Sequence, residues 1–210
     1  MIAIIDYKAG NLRSVERALK KLGAPCSITR DRAEIANADR IIFPGVGAAG
    51  SAMKDLKDLS LDEVLRDSFL NSTPIMGICL GTQIILESSQ ENSTVCLGLL
   101  KGEAKRIPEM RDHEGKKLKI PHMGWNRVDF KRNHPVFEGI RKDDEFYFVH
   151  SYYPSPVNAE DIIGETEYGI LFPSVIGSRN LVAMQFHPEK SGTAGLKILG
   201  NFCKWDGHAQ

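Results

Sequence analysis

Pro74-Ile75-Met76-Gly77-Ile78-Cys79-Leu80-Gly81-Thr82-Gln83 is the stretch that decides the fold. An apolar run of strand length ends in a cysteine with a glycine two residues before it and another two after it. A helical stretch follows over Thr82–Ser88. This is the strand–turn–helix pattern of a nucleophile elbow, with cysteine in the serine position. The glycines have a steric reason. A sharp strand-to-helix turn leaves no room for Cβ atoms beside the nucleophile and strains its backbone. Such a turn sets the sulfur at the C-terminal edge of a sheet and at a helix N-terminus, whose partial positive charge favours thiolate. The same residues also suit a buried cysteine acting as a small hydrophobe. A second signal has to separate the two readings.

That signal is Leu181-Val182-Ala183-Met184-Gln185-Phe186-His187-Pro188-Glu189-Lys190. An apolar strand runs into His187, and Glu189 follows two residues later. A thiol nucleophile needs a base, and the base often needs a third group to orient it. Pro188 stiffens the link and keeps both side chains out of a helix. Alone, the pair would read as a strand-end histidine beside a solvated glutamate. Paired with the elbow, it completes a Cys79–His187–Glu189 set.

Outward from the elbow, the N-terminal half alternates strand and helix. Ile2–Ile5 reads as a buried strand. Asn11 caps a helix over Leu12–Leu22, and Gly23 stops it. A strand over Cys26–Thr29, a short helix over Arg32–Ala36 and a strand over Arg40–Phe43 follow. The loop Pro44–Gly50 leads into a helical region reaching Asn71. This alternation predicts a parallel sheet with helices on both faces. After Gly98 the elements become short and alternating: Lys101–Ile107, Lys117–Ile120, Asn126–Lys131, Phe146–Tyr152, Ile162–Thr166, Gly169–Ile176 and Leu181–Phe186. Gly177-Ser178 reads as a hairpin turn. Antiparallel additions to the sheet and a last helix over Thr193–Trp205 are expected. The chain reads as one α/β domain over residues 1–205 with a frayed tail over 206–210.

Bulk properties narrow the class. The 210 residues carry 27 Lys+Arg against 27 Asp+Glu, so no basic footprint for nucleic acid and no charge-driven membrane contact are signalled. The opening Met1-Ile2-Ala3-Ile4-Ile5-Asp6 is too short for a signal-peptide core, and no apolar run reaches the length of a membrane span. Cys26, Cys79, Cys96 and Cys203 are dispersed, with neither a disulfide framework nor a zinc spacing. A reducing cytoplasm fits. No cofactor and no metal are called for. Cys26, Cys96 and Cys203 lack the glycine context of Cys79 and read as packing residues. The basic run Lys116-Lys117-Leu118-Lys119 reads as a solvated strand face.

The two motifs, in this order, resemble the class I (triad) glutamine amidotransferases. Phe43-Pro44-Gly45-Val46-Gly47 resembles that family's oxyanion loop, and Gln83 stands at its glutamine-contacting position. Asp6-Tyr7-Lys8-Ala9-Gly10-Asn11-Leu12, Pro121-His122-Met123-Gly124-Trp125-Asn126, Phe148-Val149-His150-Ser151-Tyr152 and Glu189-Lys190-Ser191-Gly192 look like the glutaminase subunits of imidazole glycerol phosphate synthases. The likeness runs from Asp6 to Phe202, and the His-Met-Gly-Trp-Asn block is its most specific part. It implies a flavodoxin-like α/β fold with a mostly parallel central sheet. It also implies cysteine-dependent hydrolysis of glutamine, with Cys79 as nucleophile, His187 as acid and base, and Glu189 as orienting group. The oxyanion would be held by the N–H of Leu80 and by an N–H of Gly45-Val46-Gly47, with Gln83, Ser151 and Tyr152 at the substrate. Gly45 can absorb a large change in ψ, and with the resemblance the Val46 N–H reads as a two-state element; the alternative is that the glycines serve the geometry of the turn alone. Ammonia would pass to a separate cyclase subunit, a (β/α)₈ barrel, in a heterodimer of histidine biosynthesis. Asn11, His122, Met123, Trp125 and Tyr147 are candidates for that interface, Trp125 equally for a core aromatic. His122 and His150 either line the ammonia exit or satisfy core hydrogen bonds, the structural role being preferred for His150. Three competing readings are a paralogous glutaminase serving another synthase such as a surface-sugar enzyme, a non-catalytic regulatory subunit, and a cysteine hydrolase on a related fold.

Overall fold

The computed structural model describes residues 1–111, 115 and 117–208. Its N-terminal half follows the apolar spacing. In order come β1 (Ile2–Ile5), α1 (Leu12–Lys21), β2 (Cys26–Thr29), α2 (Arg32–Ala36), β3 (Arg40–Gly45), α3 (Ala49–Asp58), α4 (Leu61–Leu70), β4 (Ile75–Cys79) and α5 (Leu80–Ile84). The left-handed Gly23, at φ +70°, closes α1: its N–H reaches Lys20 O and the Ala24 N–H reaches Leu19 O, both at 3.0 Å. A left-handed Ser60, at φ +53°, divides the expected long helical region into α3 and α4.

The second half is strand-rich. It holds β5 (Ser88–Ser89), β6 (Thr94–Val95), β7 (Gly102–Arg106), β8 (His122–Arg127), β9 (Asp129–Phe130), β10 (Glu145–His150), β11 (Tyr152–Pro156), β12 (Ile162–Glu167), β13 (Leu171–Ser178), β14 (Leu181–Met184) and finally α6 (Gly192–Phe202). The central sheet runs β2-β1-β3-β4-β14-β13-β12-β9. Pairing is parallel from β2 to β14 and antiparallel beyond it. The strands β1, β4 and β14 are buried along their whole length, as expected for sheet interior covered on both faces. One core joins Ala3, Ile5 and Phe43 to Met53, Leu65 and Ile84 of α3, α4 and α5. The other joins Ile4, Ile42 and Met76 to Leu19, Ile198 and Phe202 of α1 and α6. The two-stranded sheet β8–β10 and the small sheet β11-β7-β5-β6 stand beside the C-terminal edge of the parallel strands.

Several expectations are corrected. The helix after Cys79 ends at Ile84, not Ser88, because the backbone from Glu87 onward bonds to β7 and to Cys96: Glu87 N–H to Gly102 O at 3.1 Å, Cys96 N–H to Glu87 O at 2.9 Å. Long-range pairing overrides helix propensity here. The expected strand Phe146–Tyr152 breaks at Ser151, so that β10 pairs with β8 and β11 with β7. Gly177 and Ser178 are the end of β13, not a turn. The turn is Arg179-Asn180, with Arg179 at φ +55°. Gly177 is small for packing, since a Cβ there would lie 2.5 Å from Leu181 O. Lys117–Ile120 is no strand; Lys117 makes a lone bridge to Arg111, and Lys116 lies outside the described residues. Residues 206–208 are not frayed: the Trp205 indole donates to His208 O at 2.7 Å, and Gly207 is buried. Residues 209–210 lie outside the described residues. Among the described residues, no helix is long and apolar enough to cross a membrane.

Candidate active site

Three neighbouring parallel strands bring the site together. In β3–β4 register Gly45 sits opposite Cys79, and in β4–β14 register Met184 sits opposite Ile78. Their C-terminal ends share one edge, so the Gly45–Gly47 loop, Cys79 and the residues after β14 converge there. Cys79 has φ +54° and ψ −106°, the strained conformation expected of a nucleophile elbow. The elbow glycines serve close approach of neighbours. A Cβ on Gly77 would lie 2.8 Å from Ala183 Cβ, and one on Gly81 would lie 2.0 Å from Phe43 O. With α5 ending at Ile84, its macrodipole is small, and the local N–H groups at its start matter more.

His187 and Glu189 lie behind the cysteine. Nδ1 of His187 is 2.8 Å from Oε1 of Glu189, and the two side chains are 1% and 0% exposed. Burial opposes charge on the imidazole, but the Cys79 sulfur and the Glu189 carboxylate outweigh it, and the His187 pKa is pushed up to about 9. Nε2 is buried and makes no full hydrogen bond among the described residues, although the sulfur is near enough to act on its charge. It is therefore the nitrogen available for proton exchange.

Two residues join this set unexpectedly. Asn11 stands at the start of α1 but is left-handed, at φ +74°, and its side chain does not cap the helix. Its amide instead donates to Glu189 Oε1 and lies 3.4 Å from His187 Nδ1. Gln185 is fully buried; its Nε2 is 3.6 Å from Cys79 Sγ, and its Oε1 accepts from Gln83 Nε2 at 3.0 Å. Position 185 is inside the strand motif, where side-chain alternation marks it as buried. Nothing local marks it as a neighbour of the sulfur.

Before Cys79 opens a cleft of about 380 Å³, bordered by Val46, Gly47, Leu80, Gln83, Ser151 and Tyr152. Gln83 is anchored rather than free: its Nε2 donates to Tyr152 O at 3.0 Å and to Gln185. That leaves its Oε1 as the atom to offer a ligand. Tyr152 contributes its carbonyl to this bracing. Glu91 also borders the cleft, with Oε2 accepting from Ala49 N–H at 2.6 Å. Its segment carries no motif, so the sequence offered no signal for it. A larger cleft of about 530 Å³, around Arg132, His134 and Phe137, holds no cysteine.

Residues 3–205 match the family described as glutamine amidotransferase class-I. The chain belongs to that family. Similar proteins include the imidazole glycerol phosphate synthase subunit HisH of Maridesulfovibrio salexigens, 50% identical over 98% of this chain and 97% of the relative. The HisH subunit of Desulfovibrio desulfuricans is 48% identical over 98% and 94%. Among solved structures, a glutamine amidotransferase aligns at TM-score 0.75 with 16% identity, covering 99% of this chain and all of the other. A Thermotoga maritima PurLQS structure aligns at 0.71 with 18% identity, covering 97% of each chain. At that identity the two structures support the fold.

On this class-I amidotransferase, the residues expected at a partner interface divide. In β8 alternate side chains face outward: Met123 is 62% and Trp125 55% exposed. The Tyr147 ring lies 6.0 Å from that of Trp125, and Lys190 Nζ sits 5.8 Å above the Tyr147 ring. His122 is not at the surface, which corrects its placement at the interface and agrees with the alternative of core hydrogen bonding. On the inward face of β8 it is 3% exposed, stacked on Tyr168 at 4.0 Å, and its Nδ1 is 2.9 Å from His150 Nε2. Since His150 Nδ1 can only donate to the Tyr152 carbonyl at 2.8 Å, His150 Nε2 accepts from His122. His122 Nε2 in turn accepts from Asn126 at 3.3 Å. Burial pushes His122 down to about 4; burial, then the neighbouring His122, push His150 down to about 3. Asn11 is half-buried and turned to Glu189 rather than outward.

Proposed function

We propose that the chain is the glutaminase subunit of an imidazole glycerol phosphate synthase. The buried Cys79–His187–Glu189 set at the edge of three adjacent strands carries this reading. Cys79 thiolate attacks the side-chain carboxamide of glutamine. The tetrahedral oxyanion is met by the N–H groups of Leu80 and Val46, each donor worth roughly 10²–10³ in rate. His187, protonated at Nε2, gives its proton to the departing ammonia. It then takes one from the water that opens the γ-glutamyl thioester, so glutamate leaves and the thiol is restored. Glu189, braced by Asn11, holds the imidazole in this orientation and offsets its charge. Gln83, Ser151 and Tyr152 line the cleft in which glutamine binds.

Ammonia passes to a separate cyclase subunit, a (β/α)₈ barrel in a heterodimer. There it completes imidazole glycerol phosphate and releases an aminoimidazole carboxamide ribonucleotide. The outward Met123 and Trp125, with Tyr147 beside them, supply an aromatic-rich face for that partner. Binding of the cyclase and its nucleotide biases the Val46 peptide toward the orientation that serves the oxyanion, so stimulation appears in kcat rather than KM.

Cys79→Ala tests the assignment. In complex with the cyclase it should lose glutamine-dependent synthesis and keep synthesis from added ammonium salt. Glutamine turnover that persists in this variant would remove Cys79 from the mechanism.

A further inference from the structure

Tyr7 lies two residues beyond β1, on the same face as Ala3 and Ile5, and is 2% exposed. Its ring packs on Phe43 with centroids 5.3 Å apart. Its hydroxyl is buried and has no hydrogen-bond partner among the described residues. Such an orphan is uncommon in a folded protein and calls for a reason.

The hydroxyl occupies a particular place. It lies 1.9 Å from the point where a Cβ on Gly45 would stand, and Leu80 Cβ is 3.2 Å from the same point. One C–C bond of about 1.5 Å separates that point from Gly45 Cα, so the hydroxyl is no more than about 3.4 Å from the oxyanion strand. It lies against the Gly45 backbone, with Leu80 close to the same point, and these are the two segments whose N–H groups the proposed mechanism assigns to the oxyanion. Burial, then the nearby Cys79, then Asp55 hold its pKa well above the usual tyrosine range, so it stays a donor. Rotation about ψ of Gly45 swings its carbonyl toward one face of the strand while the Val46 N–H turns toward the other.

We propose that Tyr7 is a positioning residue for the oxyanion hole: its hydroxyl donates to the Gly45 carbonyl when the Gly45–Val46 peptide turns the Val46 N–H into the cleft. The same contact explains why position 45 holds glycine, since any side chain there displaces the hydroxyl. The inference rests on the amidotransferase reading of Cys79 and deepens it.

The test uses the full chain in complex with the cyclase, with glutamine and ammonium chloride as alternative nitrogen sources. Tyr7→Phe should lower kcat for glutamine about tenfold, less than the loss of a direct donor, with KM within about twofold. Ammonium-dependent synthesis should be unchanged. Wild-type kcat, or a loss expressed only in KM, would overturn the proposal. Gly45→Ala should lower the melting temperature, and Tyr7→Phe added to it should restore part of the loss, because the atom at 1.9 Å is gone and the remaining contacts are 3.2 Å. Absence of that recovery would also overturn it. Cys79→Ala is run in parallel. If it keeps glutamine turnover, the parent reading fails; if it is silent while Tyr7→Phe matches wild type, only the role of Tyr7 fails.

Discussion

His187 and the pair His122–His150 are almost equally hidden from water, at 1%, 3% and 5% exposure, yet their pKa values separate: about 9 for His187, about 4 and about 3 for the pair. All three sites penalise the charged ring by burial. Only His187 faces the Cys79 sulfur and the Glu189 carboxylate, both of which favour its charged form. The other pair faces a second imidazole, the Tyr152 carbonyl and the rings of Phe148, Tyr168 and Phe172. Burial sets the cost of the charge; the partner decides whether the charge is present. One site is therefore poised to hold and hand over a proton. The other is a neutral brace with its tautomers fixed by a chain of hydrogen bonds.

The two sites also act on stability with different pH windows. The His187 pKa rises on folding, so its contribution is full below about 6.5 and is lost as pH rises through about 9. The pKa values of His122 and His150 fall on folding. Their contribution is present above about 6.5 and is lost as pH falls through about 4 and about 3.

The sharpest way to break the comparison is His187→Ala. It should fold and should lower glutamine kcat by at least about 10³-fold, because the proposed proton carrier is gone. Steady-state kinetics on the complex checks this; a loss under tenfold would put the proton on another group. Glu189→Gln removes the carboxylate proposed to orient the ring. It should lose about a hundredfold less than His187→Ala and should bring the His187 pKa down from about 9, read by NMR titration of the ring. An unmoved pKa would mean that the sulfur alone sustains the charge.

His150→Phe tests the neutral site. It leaves His122 Nδ1 without its partner and should cost about 1–3 kcal/mol in urea unfolding. Its stability should also fall less steeply than that of wild type below about pH 6.5, where the buried neutral ring is penalised. An unchanged acid slope would separate this histidine from the acid sensitivity of the fold. Trp125→Ala, two strand positions beyond Gly124's neighbour Met123 on the outward face, should change stability by no more than about 0.5 kcal/mol. It should weaken association with the cyclase by about 2 kcal/mol, measured by titration calorimetry. A large loss of stability with intact association would make Trp125 a structural aromatic.

Much of this site could be read along the chain. Gly77, Cys79 and Gly81 announce a strand that turns sharply into a helix, and Cys79 has the strained backbone that pattern requires. The limits of β1, β2 and α2 match the sequence reading, because burial on one or both faces leaves a periodic trace in composition. The inward side of His122 is not legible in sequence, because a strand block does not say which of its alternating faces meets solvent. Asn11 departs from the capping role its place before a helix suggests, because its contact with Glu189, far away in sequence, takes the side chain.

The sequence by itself determined the α/β class, the elbow, the order Cys79, His187, Glu189 and the resemblance that names the chemistry. These rest on local backbone preference, apolar periodicity and motif, all of which act within a few residues. Only the tertiary structure decided that β3, β4 and β14 are neighbours, so that Gly45 faces Cys79 and His187 emerges beside them. It alone brought Tyr7, Asn11, Glu91 and Gln185 to the site and gave His187 and His150 opposite charge preferences. Strand order and buried electrostatics depend on groups far apart in sequence, and no short window of residues carries that information.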